Sequence, residues 1–266
     1  MKRIAPAFSL LVLPALLALP PTAPARAQEG PVDYSAWNQL LGKYYDPTRG
    51  MNYKALKAND SPTLARLRQK MATVDVAALP KNDQFAYWIN LYNISAVATV
   101  VDGYPVKSIR DLSTDPIIRL NVFKKETIAI KGGKISLDTI ENEKIRPVFK
   151  DPRIHFAINC AAKTCPPIRP EAYIGARIGG QLDDQARKFL NGTYGAKFEK
   201  DGDSLTVNVT KIMDWFKDDF EKWGGGRAAF LHKYVPADKQ KMLDAAKGKV
   251  DFEFAPYDWA LNDTSK

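Results

Sequence analysis

One stretch limits the possible folds more than any other. Residues 82–101, NDQFAYWINLYNISAVATVV, are apolar nearly all the way round a helix. A helix without a polar face is buried on most sides, so the remaining chain is expected to wrap around it. Asn82 or Asp83 opens the helix and Asp102-Gly103 closes it. Tyr87, Asn90 and Asn93 recur every third residue and share one stripe. A buried amide without a partner costs roughly 1–3 kcal/mol. Asn90 and Asn93 therefore either tie neighbouring loops to the helix or line a pocket, orienting a catalytic group or holding a substrate.

Around this helix the pattern predicts short elements. Trp37, Leu40, Leu41 and Tyr44 stand at helical spacing, and Asp46-Pro47 ends that segment. Ser61-Pro62 reads as a helix start, with Leu64, Leu67 and Met71 continuing an apolar stripe. Hairpins are expected over 127–137, around Gly132-Gly133, and over 198–209, around Asp201-Gly202. Ser136 caps a short helix through Arg146, and further helices are expected at 180–191, 211–222, 227–235 and 237–247, before a strand at 250–254. Hairpins rather than strand–helix–strand units define an α+β class, a central buried helix packed on antiparallel hairpins with surrounding helices.

The first 27 residues read as a secretory signal peptide. Lys2 and Arg3 precede a mostly apolar stretch, and Ala25-Arg26-Ala27 places small residues where signal peptidase reads them. Pro14, Pro20, Pro21 and Pro24 break the apolar run short of the roughly 20 residues a membrane span needs. The expected product is exported, periplasmic or extracellular, with no transmembrane span. It divides into an N-terminal helical segment (28–80), a main domain (81–262) and a short tail (263–266). The chain carries 39 Lys+Arg against 30 Asp+Glu without a dense basic block, which together with export argues against nucleic acid as a partner. An apolar fraction of 45% excludes a disordered chain. Two Cys exclude a disulfide scaffold and multi-cysteine metal arrays, and two His leave little for a histidine-built metal site.

Chemistry concentrates in 151–169, DPRIHFAINCAAKTCPPIR. Ile154, Phe156 and Ile158 alternate with Arg153, His155 and Asn159, the pattern of a strand. On that strand His155 and Asn159 would flank a gap of roughly 7 Å over small Ala157, which suits a pocket wall. Cys160 and Cys165 follow, and they admit four readings. They form a disulfide suited to an exported protein. Cys165 is a thiol nucleophile with His155 as its base. His155, Cys160 and Cys165 hold a catalytic zinc, although their spacing matches no standard motif. Or both are small buried apolar residues. Leu137, Glu141 and Ile145 recur every four residues, so Glu141 lies beside a buried stripe. There it pairs with Arg146 or Arg153, or orients His155.

These segments also resemble a known family. FAYWINLYN (85–93), YPVKSI (104–109), ISLDTIENEKIR (135–146), DPRIHFAINCAAKTCPPIR (151–169) and YDWALN (257–262) together look like the domain of unknown function 547. By that resemblance the family's characteristic positions fall on Trp88, Asn90, Tyr92, Asn93, Glu141, Arg146, Arg153, His155, Cys160, Cys165 and Pro166. The family carries no established activity to transfer. A helix packed against a His-bearing hairpin sheet is also how thiol proteases and transglutaminase-like enzymes build a site, but their helix carries the nucleophile and this one has no Cys.

The leading expectation is a thiol/histidine hydrolase or transferase acting on a peptide or envelope polymer. Cys165 attacks, His155 accepts its proton, Glu141 orients the imidazole, and Asn90, Asn93, Arg153 and Asn159 line the pocket. No cofactor is required, zinc being the alternative. The competing expectation is a non-catalytic envelope binding or structural module braced by a Cys160–Cys165 disulfide.

Overall fold

The computed structural model describes residues 30–113, 121–202 and 204–265; the expected signal peptide lies outside the described residues. The central helix, α3, runs Lys81–Gly103, and every residue from Phe85 to Ala98 is buried. Among the described residues two α-helices precede it. Helix α1, Ser35–Tyr44, turns Trp37, Leu40, Leu41 and Tyr44 inward. Helix α2, Tyr53–Ala72, is broken at Asp60 (φ −134°, ψ 15°), one residue before the expected start at Ser61. The Asp60 carboxylate accepts from Thr63 Oγ1 at 3.3 Å, and Pro62 sits early in the following turn, where its missing N–H costs nothing. The half before the break, with only Tyr53 and Leu56 buried, is too weakly patterned to read from sequence. Trp37, Leu41, Tyr53, Leu56, Leu64 and Met71 share one core cluster with α3, so the 28–80 segment and the central helix are packed together.

The class is α+β, but the central helix has a different cover from the one expected. Its core cluster is built from helices and irregular segments, joined from the strands chiefly by Ile128 and Ile135 of the hairpin Ile128–Ile130/Gly133–Ile135. The three-stranded sheet belongs to a second cluster, with Phe156, Phe189, Phe220 and Phe230. In that sheet Lys197–Asp201 pairs antiparallel with Ser204–Val209, and Val250–Phe254 joins the latter in parallel, Val207 opposite Phe252. A helix apolar on every side cannot be satisfied by one sheet face, so it recruits cover from several directions. The expected helices at 180–191, 227–235 and 237–247 appear as Ile178–Leu190, Gly226–Tyr234 and Ala237–Ala245; that at 211–222 is split into Ile212–Trp215 and Lys217–Glu221. Among the described residues no helix is long and apolar enough to cross a membrane.

The expected strand at 154–158 is not formed. Pro152–Phe156 is a 3-10 turn, with the Asp151 carboxylate accepting from Arg153 N at 3.0 Å. An Asp cap followed by Pro at the first turn position is a helical start signal, and here it overrides the apolar alternation. Residues 154–159 are all buried, so no alternating pocket wall exists.

Asn90 and Asn93 act as splints in this core. Asn90 Nδ2 donates to Tyr173 O at 2.7 Å while its Oδ1 accepts from Tyr173 N at 2.9 Å. Asn93 Nδ2 donates to Ala157 O at 2.9 Å and its Oδ1 accepts from Asn159 N at 2.8 Å. Each side chain pairs both backbone groups of a segment that has no strand neighbour. Asn93→Leu should orphan a buried carbonyl and a buried amide. It is expected to lower the unfolding free energy by about 3 kcal/mol in urea titration; an unchanged midpoint would show that the 157–159 segment is held by other means.

Candidate functional site

Three segments carry the candidate reactive side chains of one cavity of about 210 Å³, whose wall also includes Trp215, Phe216, Tyr257 and Trp259. The first is the helical run 137–149. Ser136 caps it, its Oγ accepting from Thr139 N at 3.0 Å. Its middle, Ile140–Ile145, is wound as a π-helix, a widening often found at functional sites. Ile140 and Ile145 are fully buried anchors, and Glu141 between them faces the cavity. Burial, and then the charge of nearby Cys160, push the Glu141 carboxyl up to about 8, so it carries its proton at neutral pH.

The second segment supplies His155. Its Nε2 lies 2.8 Å from Asp219 Oδ2, and its Nδ1 lies 3.8 Å from Glu141 Oε1. Asp219 is held by Arg146, whose Nε is 2.6 Å and Nη2 3.0 Å from the two carboxylate oxygens. Phe216 stacks on the imidazole at 3.8 Å between centroids, and the Arg146 guanidinium stands 4.8 Å over Phe216. Burial holds the His155 pKa below its ordinary value despite the Asp219 contact. Asp219 is driven well below the carboxylate range: its hydrogen bonds from His155 and Arg146 outweigh the opposing effect of burial. An ionised Asp219 accepts, so Nε2 carries the ring proton and Nδ1 presents a lone pair. That buried Nδ1 has no hydrogen-bond partner.

The third segment carries the cysteines. Both thiols are free, with their sulfurs 2.9 Å apart, and Tyr257 Oη lies 3.0 Å from Cys160 Sγ. Burial strongly raises the Tyr257 phenol, which therefore stays protonated and donates. Burial also raises Cys160, but its hydrogen bonds with Cys165 and Tyr257 outweigh it and the net shift is downward. Cys165 moves the other way, raised by burial and by its hydrogen bond to Cys160. Cys165, the expected nucleophile, is the thiol whose proton is held more tightly. Cys160 is also the more exposed.

The loop between them is braced by the chain's end. Ala161 is held at φ 62°, a left-handed conformation that strains a non-glycine residue. Asn159 Oδ1 accepts its N–H at 2.8 Å, and its carbonyl accepts Asn262 N–H at 3.0 Å. Lys163 N donates to Ala260 O at 2.7 Å, and Asp258 N donates to Thr164 Oγ1 at 3.0 Å. The same terminal segment brings Tyr257 to Cys160 and sets Trp259 in the cavity wall beside Trp215, rings stacked at 5.9 Å. Trp215 is 46% exposed, an apolar platform at the rim.

The structure thus brings Glu141, His155, Cys160 and Cys165 to one cavity and keeps the other expected pocket residues in its frame. Asn90 and Asn93 are the splints described above. Asn159 has its amide donated to Pro166 O at 2.7 Å. Arg153 binds Asp151 and Asp183 through its Nη2 and Nη1 at 2.5 and 2.7 Å, so its guanidinium is spent on a structural cluster. The zinc set is not gathered either: among the described residues no three His, Cys, Asp or Glu converge as ligands. Sequence reasoning missed Asp219, although its place beside the Ile212, Phe216 and Phe220 stripe of the 211–222 segment was a usable signal.

Residues 76–190 match the family model described as Protein of unknown function, DUF547, which supports the resemblance read from the sequence motifs over that stretch. The match takes in Glu141, Arg146, His155 and both cysteines, while Asp219, Tyr257 and the other residues after 190 lie outside it. No curated protein and no solved structure matches the chain.

The raised Glu141 pKa has a signed consequence. Between the ordinary carboxylate range and about pH 8 the folded state holds a proton there that the unfolded chain releases, so Glu141 lowers stability as pH rises through that window. Glu141→Gln should melt at a higher temperature than the native chain at pH 8.5, with the margin vanishing towards pH 4. A margin that stays constant across this range in calorimetry would mean that Glu141 is ionised in the fold.

Proposed function

We infer that the cavity is the catalytic site of an exported thiol/histidine hydrolase or transferase acting on the acyl groups of a peptide or envelope polymer. The observation that carries this reading is the unpartnered Nδ1 of His155, held toward the same cavity as a thiol in hydrogen-bond contact with Cys165 and Tyr257. A buried acceptor left open normally loses the free energy of the missing bond; a proton that arrives during reaction gives it a use.

Cys160 suits the nucleophile's role better than Cys165, because it is more exposed and its thiolate is favoured. Its sulfur attacks the carbonyl carbon, and its proton passes by way of Glu141 to Nδ1 of His155. Glu141 then returns a proton to the leaving group as the tetrahedral intermediate collapses to a thioester. Water or an acceptor amine or hydroxyl then attacks the thioester carbonyl, giving its proton to the Glu141 carboxylate as the C–S bond breaks, and the His155 imidazolium returns its proton to the departing Cys160 sulfur. Asp219 and Arg146 are positioning residues, fixing the tautomer and plane of the imidazole. Trp215 and Trp259 offer stacking surface for the part of the substrate next to the reacting bond. Export rests on the N-terminal pattern and suits an extracytoplasmic polymer.

The close approach of the two sulfurs favours one second reading, a binding module braced by the Cys160–Cys165 disulfide. In that case neither thiol would alkylate in protein taken from an oxidising compartment without reductant.

Limited alkylation at pH 7 followed by peptide mapping should label Cys160 well before Cys165. Mixtures of peptide and envelope-polymer fragments should leave an acyl adduct on Cys160, detected by intact mass. Cys160→Ser should abolish turnover. His155→Gln should reduce kcat/KM by about 10²–10⁴-fold, the usual range for loss of a general base. Full turnover by Cys160→Ser would overturn the acyl-transfer reading.

A further inference from the structure

An acyl-transfer site needs one sulfur, and this cavity holds two. Cys165 has no part in the scheme above, yet its sulfur sits 2.9 Å from Cys160 Sγ and accepts Cys160 N–H at 3.0 Å. Tyr257 Oη flanks Cys160 Sγ at 3.0 Å, so the more exposed sulfur touches a phenol as well as its neighbouring thiol. A protonated carboxyl, Glu141, lines the same cavity, whose volume of about 210 Å³ admits a small molecule. A nucleophilic thiol, a second thiol in contact with it and a buried proton donor are the parts needed for two-electron reduction of an O–O bond.

We propose that Cys160 and Cys165 are a redox-active dithiol that reduces a small hydroperoxide, with Cys160 as the attacking sulfur and Cys165 as the resolving one. The inference shares with the acyl-transfer reading the assignment of Cys160 as the reactive thiol and of Glu141 as the proton donor to the leaving group. Cys160 thiolate attacks the terminal peroxide oxygen; the S–O bond forms as the O–O bond breaks, and sulfur loses two electrons. The departing alkoxide or hydroxide takes the Glu141 proton and leaves as alcohol or water. Cys165 then attacks the Cys160 sulfenic acid. The S–S bond forms, the S–O bond breaks, and the hydroxide leaves as water with the Cys165 proton. A small external dithiol restores both thiols by exchange, becoming the oxidised partner and returning two electrons and two protons. While the disulfide stands, Cys160 cannot attack a carbonyl, so the same step switches the acyl chemistry off.

The test uses the reduced, desalted full chain treated with one equivalent of hydrogen peroxide. Intact mass should fall by two hydrogens, peptide mapping should show 160 linked to 165, and dithiothreitol should restore the original mass. In Cys165→Ser, with its fold checked by circular dichroism, the Cys160 sulfenic acid should persist and be trapped by dimedone. Unreacted thiols, or Cys160 driven to sulfinic acid with Cys165 still alkylatable, would overturn the proposal. The native-chain arm decides even if the variant fails to fold. An acyl adduct on Cys160 without peroxide-driven disulfide sinks the dithiol alone; a disulfide without any acyl adduct sinks only the acyl-transfer reading.

Discussion

Everything in this structure hangs on a helix that must be covered on every side. Burying α3 leaves two asparagines in a dry core, and their amides take up the backbone of segments that have no regular neighbour. From Asn93 a relay of amides runs outward: it fixes Asn159, Asn159 fixes Ala161 and Pro166, and Asn262 closes on the Ala161 carbonyl. Tyr53 Oη, from α2, anchors Asn262 Oδ1 at 2.8 Å. The cysteine loop is therefore positioned by hydrogen bonds traced back to the core, and its left-handed Ala161 is held by that network. Such rigidity is what a site needs if two sulfurs and a phenol are to stay within contact distance.

The electrostatics of the cavity are uneven in a useful way. Asp219 is ionised and clamped by Arg146, His155 is neutral, and Glu141 is protonated at neutral pH. Three titratable groups in one wall thus occupy different protonation states because their surroundings differ: paired, stacked and desolvated respectively. Groups whose pKa values are pushed apart in this way can pass a proton between them near neutrality. Phe216 covers the imidazole face, and Trp215, Tyr257 and Trp259 pack against one another in the cavity wall.

The sequence spoke clearly where the periodicity was strong or the turn chemistry unambiguous. The all-apolar run at 82–101 has only one low-energy use, and Gly132-Gly133 and Asp201-Gly202 between apolar alternations leave little but hairpins. It misled at 154–158, where apolar alternation and an Asp-Pro start signal compete over the same five residues. Alternation is a statement about two faces, and it loses its meaning when both faces are buried. Glu141 was placed correctly beside a buried stripe, yet the π winding that aims it depends on anchors at Ile140 and Ile145 set by neighbouring elements.

By itself the sequence determined the central helix, the α+β class, and the residue types that carry the chemistry, because each follows from local pattern and composition. Tertiary structure alone decided which of those residues meet. Asp219 comes to His155 across 64 residues and Tyr257 to Cys160 across 97, separations over which no periodicity speaks. It also sets the two thiols in different surroundings. Exposure and the 3.0 Å contact with Tyr257 distinguish Cys160 from Cys165, and both are properties of packing that identical side chains five positions apart cannot announce.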